Sequence, residues 1–243
     1  RVYGDLNGQP VLALHGTPGS RLKFCGAHET AHAHGVSIIA LDRWGYGRTD
    51  RPAKPHLAGY CDDLEQLADA LGIARFGVMG ISGGGPFAAM TAAHLAARVT
   101  SLALVSPVGP VLGCPIPGTS LFHHLSFTAA PRVPGLTRLL FGAFRQTIRR
   151  YPELAVAAAI PRAPPSDRAI MADPDQRQAL FETFKAGLER EVPSARRSTW
   201  RCLRADGARS PPSASSHASG SDHQMAAYRC RPRAISARSC KQI

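Results

Sequence analysis

Up to residue 105 the chain alternates between short uncharged apolar runs and longer segments of mixed polarity. Pro10–Leu14, Val36–Leu41, Phe76–Ile81 and Val99–Val105 are apolar throughout or nearly so, and each stops at a polar or small residue: His15, Asp42, Ser82 and Ser106. Runs of this length, rich in β-branched residues, predict buried strands. The stretches between them read as helices. Residues 21–34 form one, closed by Gly35 as a C-terminal cap. Leu57–Leu71 carries apolar side chains at 57, 60, 64, 67, 68 and 71, a helical stripe ended by Gly72. Pro86–Ala97 is a third helix, built of small residues. Strands alternating with helices predict an α/β fold: a mostly parallel sheet with helices on both faces.

The alternation stops at Pro107. From there to about Val192 Pro-rich turns separate helical pieces such as Leu136–Ile148 and Ala179–Glu191. An all-helical insertion after the fourth strand predicts a lid over the carboxyl edge of the sheet, where α/β folds bind ligands. The expected organisation is therefore 1–106 as the first part of the core, 107–192 as a helical lid, and 193–243 as a tail.

Charge separates that tail from the rest. The 243 residues have a formal net charge of +12, which alone invites a nucleic-acid reading. Residues 1–192 hold 19 basic and 15 acidic side chains, whereas residues 193–243 hold ten basic and two acidic ones, with ten Ser and three of the six Cys. So little apolar surface cannot offset the entropy of ordering a chain, and disorder is the expectation for the tail. The excess charge belongs there, so no nucleic-acid partner is expected of the body. Pro and Gly interrupt even the richest apolar run, Val99–Gly118, so no membrane span is expected. Scattered cysteines without zinc-ligand spacing point to a reduced, cytoplasmic setting. The first residue, Arg1, reads as the middle of something longer.

Two motifs carry chemistry. Gly80-Ile81-Ser82-Gly83-Gly84 is a G-x-S-x-G string between a strand and a helix, the setting of a nucleophile elbow, in which a sharp turn lifts the serine hydroxyl out of the sheet. His15-Gly16-Thr17-Pro18-Gly19 closes the first strand. Residues 3–106 resemble the first half of a serine α/β-hydrolase of the esterase and proline-iminopeptidase-like kind. The matching segments run in the family's order: HGTPGSR, then LDRWGYGRTD, then GISGGGP. The family usually has Pro where Trp44 stands. The resemblance implies Ser82 as nucleophile, backbone N–H groups of Thr17 and Gly83 as oxyanion hole, and a pocket-shaping loop that includes Asp42, Arg43 and Tyr46. It further implies a small-molecule acyl substrate and no cofactor.

The family's late acid loop, G-x-x-D-x-x-V-P, and its histidine turn are missing. Asp222 is the nearest acid, but no strand precedes it and no Val-Pro follows, and His217 and His223 lack a frame. A tail rich in Arg, Ser, Ala, Pro and Cys is what a GC-rich gene gives when read out of frame. Shifted by two nucleotides, the codons of Gln224-Met225-Ala226 must read Asp or Asn and then Gly, and Ala227-Tyr228-Arg229 allow x-V-P to follow. A frame disruption near residues 190–194 is therefore expected, and the nucleotide sequence tests it. Three alternatives remain. One is a catalytically dead relative lacking acid and base. Another is a zinc metallopeptidase using His28-Glu29-x-x-His32, whose histidines would otherwise lie on an exposed helix face. The third is a basic arm in which Arg196, Arg197, Trp200, Arg201 and Arg204 contact nucleic acid. His123 and His124 read as lid surface.

Overall fold

The structure is a computed structural model that describes residues 1–109, 133–159 and 165–189. Asp222, His217, His223, His123, His124 and the tail from 193 lie outside these residues. All described residues fall in one compact unit, Arg1–Arg209.

Five strands form one sheet: β1 (Val2–Gly4), β2 (Gln9–Leu14), β3 (Val36–Leu41), β4 (Phe76–Ile81) and β5 (Val99–Val105), in the order β1-β3-β2-β4-β5. β1 runs antiparallel to β3; the other pairings are parallel. The four apolar runs are thus strands within a residue of their predicted bounds. β1 is an addition: three residues are too few to show a period. The chain leaves β2 toward β3 on one side and continues through β4 to β5 on the other. The strand order therefore reverses between β2 and β4, and the carboxyl ends of these strands are where α/β folds of this topology bind ligands.

Over β2, β3 and β4 both faces of the sheet are covered, as their alternating side chains require, whereas β5, predicted as a buried strand, is exposed from residue 100 to 105. On one face Leu12, Leu14, Ile39, Phe76 and Val78 meet helices α2 (Leu57–Ala70) and α3 (Gly85–His94), which contribute Leu57, Tyr60, Leu64, Ala68, Phe87 and Ala88. Each large side chain buried there contributes roughly 1.5–3 kcal/mol. The intervening residues Ala13, Ile38 and Ala40 face the other way and join Tyr3, Phe24 and Ala31 in a second cluster. That cluster is covered by a 3-10 segment, Arg21–Ala27, and the short helix α1 (His28–Ala33). The single helix predicted over 21–34 is thus divided, with Gly26, a poor helix former, near the change of pitch. Gly35 closes α1 in the left-handed region, φ 62°, as expected.

Trp44, where the family usually has Pro, is drawn into the core. It stacks edge-on with Tyr60 and donates from Nε1 to Asp63 at 2.7 Å; Tyr60 in turn stacks on Phe87. The ladder ties the loop after β3 to α2 and α3.

Four helices follow in the described residues: α4 (Pro134–Arg150), α5 (Pro152–Ala159), α6 (Pro165–Ala172) and α7 (Pro174–Gly187). α4 and α7 correspond to the two predicted pieces but begin earlier, each with proline at its first turn, where a missing N–H costs nothing. They meet through Phe141 with Leu188, Ile148 with Phe181, and Phe144 with Phe184. No helix among the described residues is long and apolar enough to cross a membrane.

Candidate functional site

The two motif loops lie at the carboxyl ends of β2 and β4, where the strand order reverses. β4 ends at Ile81, and Ser82 follows with φ 49°, a left-handed conformation that L-residues adopt only under constraint. A short 3-10 turn, Ser82–Gly84, then leads directly into α3. The Ser82 carbonyl accepts from Gly85 N–H within this turn and from Val108 N–H at 3.0 Å, so the strained residue is held from both sides.

β2 lies beside β4, so the loop after β2 reaches the same place. A Cβ at Gly16 would lie 3.2 Å from Ser82 Cβ and 3.7 Å from Ser82 Oγ. A Cβ at Gly83 would lie 2.9 Å from Thr17 Cβ and 3.3 Å from Thr17 N. A side chain at Gly83 would overlap Thr17, and one at Gly16 would press on Ser82, so the two loops approach closely because both positions are glycine. Ser82, Thr17 and Gly83, chosen from separate motifs, are thus brought together.

The support behind this contact was not foreseen. Arg43, 1% exposed, projects from the end of β3 beneath the 15–17 loop. Its Nε donates to the His15 carbonyl at 2.9 Å, and its Nη2 donates to the Gly16 carbonyl at 2.9 Å and to Thr17 Oγ1 at 2.6 Å. Its guanidinium also lies over the rings of Phe87 and Tyr46. Arg43 N–H donates to His15 Nε2 at 3.1 Å, which assigns the proton to His15 Nδ1, 2.7 Å from the Gly16 carbonyl. Burial first, and the Arg43 charge second, push His15 well below the ordinary imidazole value, opposed by its bond to Gly16. His15 is neutral, with both ring nitrogens engaged.

Asp42 completes the scaffold. Its carboxylate pairs with the Arg21 guanidinium and accepts from Arg21 N at 2.7 Å and Arg48 N at 3.1 Å. Asp42, Arg43 and Tyr46 are all buried. Expected in a pocket-shaping loop, they brace the neighbouring loops from within.

The zinc motif is not assembled into a centre. His28 and His32 are exposed on α1, as expected, and His28 Nδ1 accepts from Gly4 N–H at 3.0 Å. Among the described residues no group of three His, Cys, Asp or Glu side chains is placed to hold a metal ion.

Comparison with known proteins gives these loops their context. The model of the family described as alpha/beta hydrolase fold matches residues 9–159. The chain belongs to the α/β-hydrolase fold family. A non-heme chloroperoxidase from Streptomyces lividans is 36% identical over 112 residues, covering 45% of this chain and 41% of that protein. A proline iminopeptidase from Levilactobacillus brevis is 37% identical over 94 residues, covering 36% of this chain and 31% of that one. The chain thus spans less than half the length of these relatives. Among solved structures, an α/β-hydrolase fold protein from Nakamurella multipartita superposes with a TM-score of 0.56 at 25% identity, over 84% of this chain and 70% of its own. In this α/β hydrolase the two motif loops meet where the strand order reverses.

Proposed function

We propose that this α/β hydrolase acts on a carboxylic ester or related small-molecule acyl substrate through a Ser82 acyl-enzyme. The carrying observation is the strained Ser82 just past the carboxyl end of β4, with Gly16 packed against it and Thr17 against Gly83 from the loop after β2. In this reading Ser82 Oγ attacks the acyl carbon and loses its proton to a base. The carbonyl oxygen becomes an oxyanion held by the N–H groups of Thr17 and Gly83. The leaving group departs and water releases the acid. Removing one oxyanion donor typically costs about 3–4 kcal/mol of transition-state stabilisation. The start of α3 behind Ser82 adds a favourable dipole. The chemistry draws on side chains and backbone alone. Relatives named as an iminopeptidase and a chloroperoxidase support a hydrolase-type pocket without fixing the substrate.

Base and acid are the open part of this reading. His15 cannot serve as base, since both its nitrogens are engaged and burial holds it neutral. Asp222 is the acid that the sequence offers. The alternative is a catalytically silent relative that keeps the elbow without its proton acceptor. A fluorophosphonate probe on the full chain separates the two. Labelling mapped to Ser82 and lost in Ser82→Ala, with turnover of a short-chain p-nitrophenyl ester, supports the hydrolase. An unlabelled Ser82 assigns the silent relative.

A further inference from the structure

We infer that Arg43 is the positioning residue of the oxyanion loop: it fixes the plane of the Gly16–Thr17 peptide and thereby aims Thr17 N–H. The inference rests on the proposed roles of Ser82, Thr17 and Gly83, and it concerns how one of those donors is held.

The argument starts from the peptide unit. In a trans peptide the carbonyl of one residue and the N–H of the next point in opposite directions within one plane. The Gly16–Thr17 peptide is trans, the cis bond of this loop being Thr17–Pro18. Its carbonyl receives two donors on one side, Arg43 Nη2 at 2.9 Å and His15 Nδ1 at 2.7 Å. Thr17 N–H must then point opposite to the Gly16 carbonyl across this peptide plane, and Thr17 itself packs on Gly83, its N 3.3 Å from the Cβ position there. A flip of this peptide would turn a carbonyl toward the developing oxyanion and remove a donor at once. Arg43 resists the flip at three consecutive residues, since Nε holds the His15 carbonyl and Nη2 also holds Thr17 Oγ1. Three donors in a rigid fork match three acceptors along one strand of backbone, a geometry that a lysine ammonium cannot reproduce.

Glycine at 16 makes such a lock necessary. A side chain at this position would press on Ser82, 3.2 Å from its Cβ, and glycine, which relieves that contact, also gives the adjoining peptide more freedom to rotate. Arg43 is itself constrained: its backbone N–H is tied to His15 Nε2 and its guanidinium is sandwiched by Phe87 and Tyr46. It therefore transmits the rigidity of β3 and α3 to a loop that has none of its own.

Three variants of the full chain test this. Arg43→Lys keeps charge and loses the fork. Thr17→Val keeps the Thr17 N–H and loses only the Oγ1 acceptor. The third combines them. The first readout is phosphonylation of Ser82 by a fluorophosphonate, resolved into the rate at saturation and the half-saturating concentration. Arg43→Lys is expected to lower the rate roughly tenfold to hundredfold, the scale of a misplacement near 1 Å, with half-saturation changed less than about twofold. Thr17→Val is expected to lower the rate by roughly threefold or more, and to add little on top of Arg43→Lys, because the two act through one bond. A purely structural role would shift melting temperature without this split and without coupling. The second readout is amide exchange at Thr17 measured by NMR, which needs no chemistry at Ser82. Faster exchange at Thr17 in Arg43→Lys, with β4 unchanged, supports the inference. Unaltered exchange, or rate effects that simply multiply, overturns it. Should Ser82 of the unaltered chain resist phosphonylation, the nucleophile reading falls, and the exchange result alone still decides the role of Arg43.

Discussion

Burying an imidazole beside a guanidinium has a consequence for stability that can be signed. His15 is fully buried and neutral when folded, with its proton affinity held well below the value of 6.5 it has when exposed. As pH falls through 6.5 the unfolded chain takes up a proton that the folded chain refuses. Stability therefore declines with falling pH, by up to about 1.4 kcal/mol per pH unit from this group, until the depressed folded value is reached. His15→Gln lacks the titration. Urea unfolding of the full chain at pH 6.5 and pH 5 should show the unaltered protein losing up to about 2 kcal/mol more than His15→Gln over that interval. Equal losses would mean that His15 is accessible to protons in the folded state. The same residue shows why part of the site was hidden in the sequence. Ser82 announces itself because its neighbours must be glycine, and glycine spacing is visible in one dimension. Arg43 and His15 are single polar residues at strand ends with no period, and only the pairing of β2 with β3 makes them neighbours.

The elements carry a second lesson about what is legible. β2, β3 and β4 could be bounded from composition because a strand buried on both faces is an uninterrupted apolar run. β5 has the same composition and its bounds hold, but six of its seven residues are exposed rather than buried. The helices of the 134–187 region were harder: α5 is nearly all alanine and apolar residues and shows no polar face, and α6 spans only eight residues, Pro165–Ala172. What composition could not give at all is where α7 docks. Its last residue, Gly187, lies against the backbone of Gly19, directly after the oxyanion loop, and a Cβ there would overlap the Gly19 carbonyl. Helix propensity favours Gly187→Ala by about 0.8–1 kcal/mol, whereas forcing a methyl into a closed contact costs typically 1–3 kcal/mol. The clash is with backbone rather than a flexible side chain, so the second effect wins. Gly187→Ala should loosen the docked helix, seen as faster amide exchange over 174–188 with β2–β5 unchanged. Unchanged exchange in α7 would show that the contact yields without cost.

At the scale of the whole molecule the two edges of the sheet differ. One edge is β1, three residues long and antiparallel to its neighbour, preceded by the charged Arg1 that bonds to the Ala40 carbonyl. The other is β5, seven residues, six of them exposed, with Leu102 and Leu104 each 43% and Val105 45% accessible. Its sequence, VTSLALV, contains no charge, proline or glycine. Among the described residues this strand is paired on one side, by β4, and its sequence lacks the charge, proline or glycine that normally keep edges from pairing. Only the start of β5 is restrained, by Arg98, which grips the Ile73 and Ala74 carbonyls and pairs with Asp69 and Glu65. The chain should therefore associate through β5 as concentration rises, and Leu102→Lys should suppress this without unfolding the protein, since the residue is already part-exposed. Light scattering with size-exclusion chromatography across a hundredfold range of concentration checks it, with circular dichroism to confirm the fold. If Leu102→Lys associates as the unaltered chain does, the contact lies elsewhere on the surface.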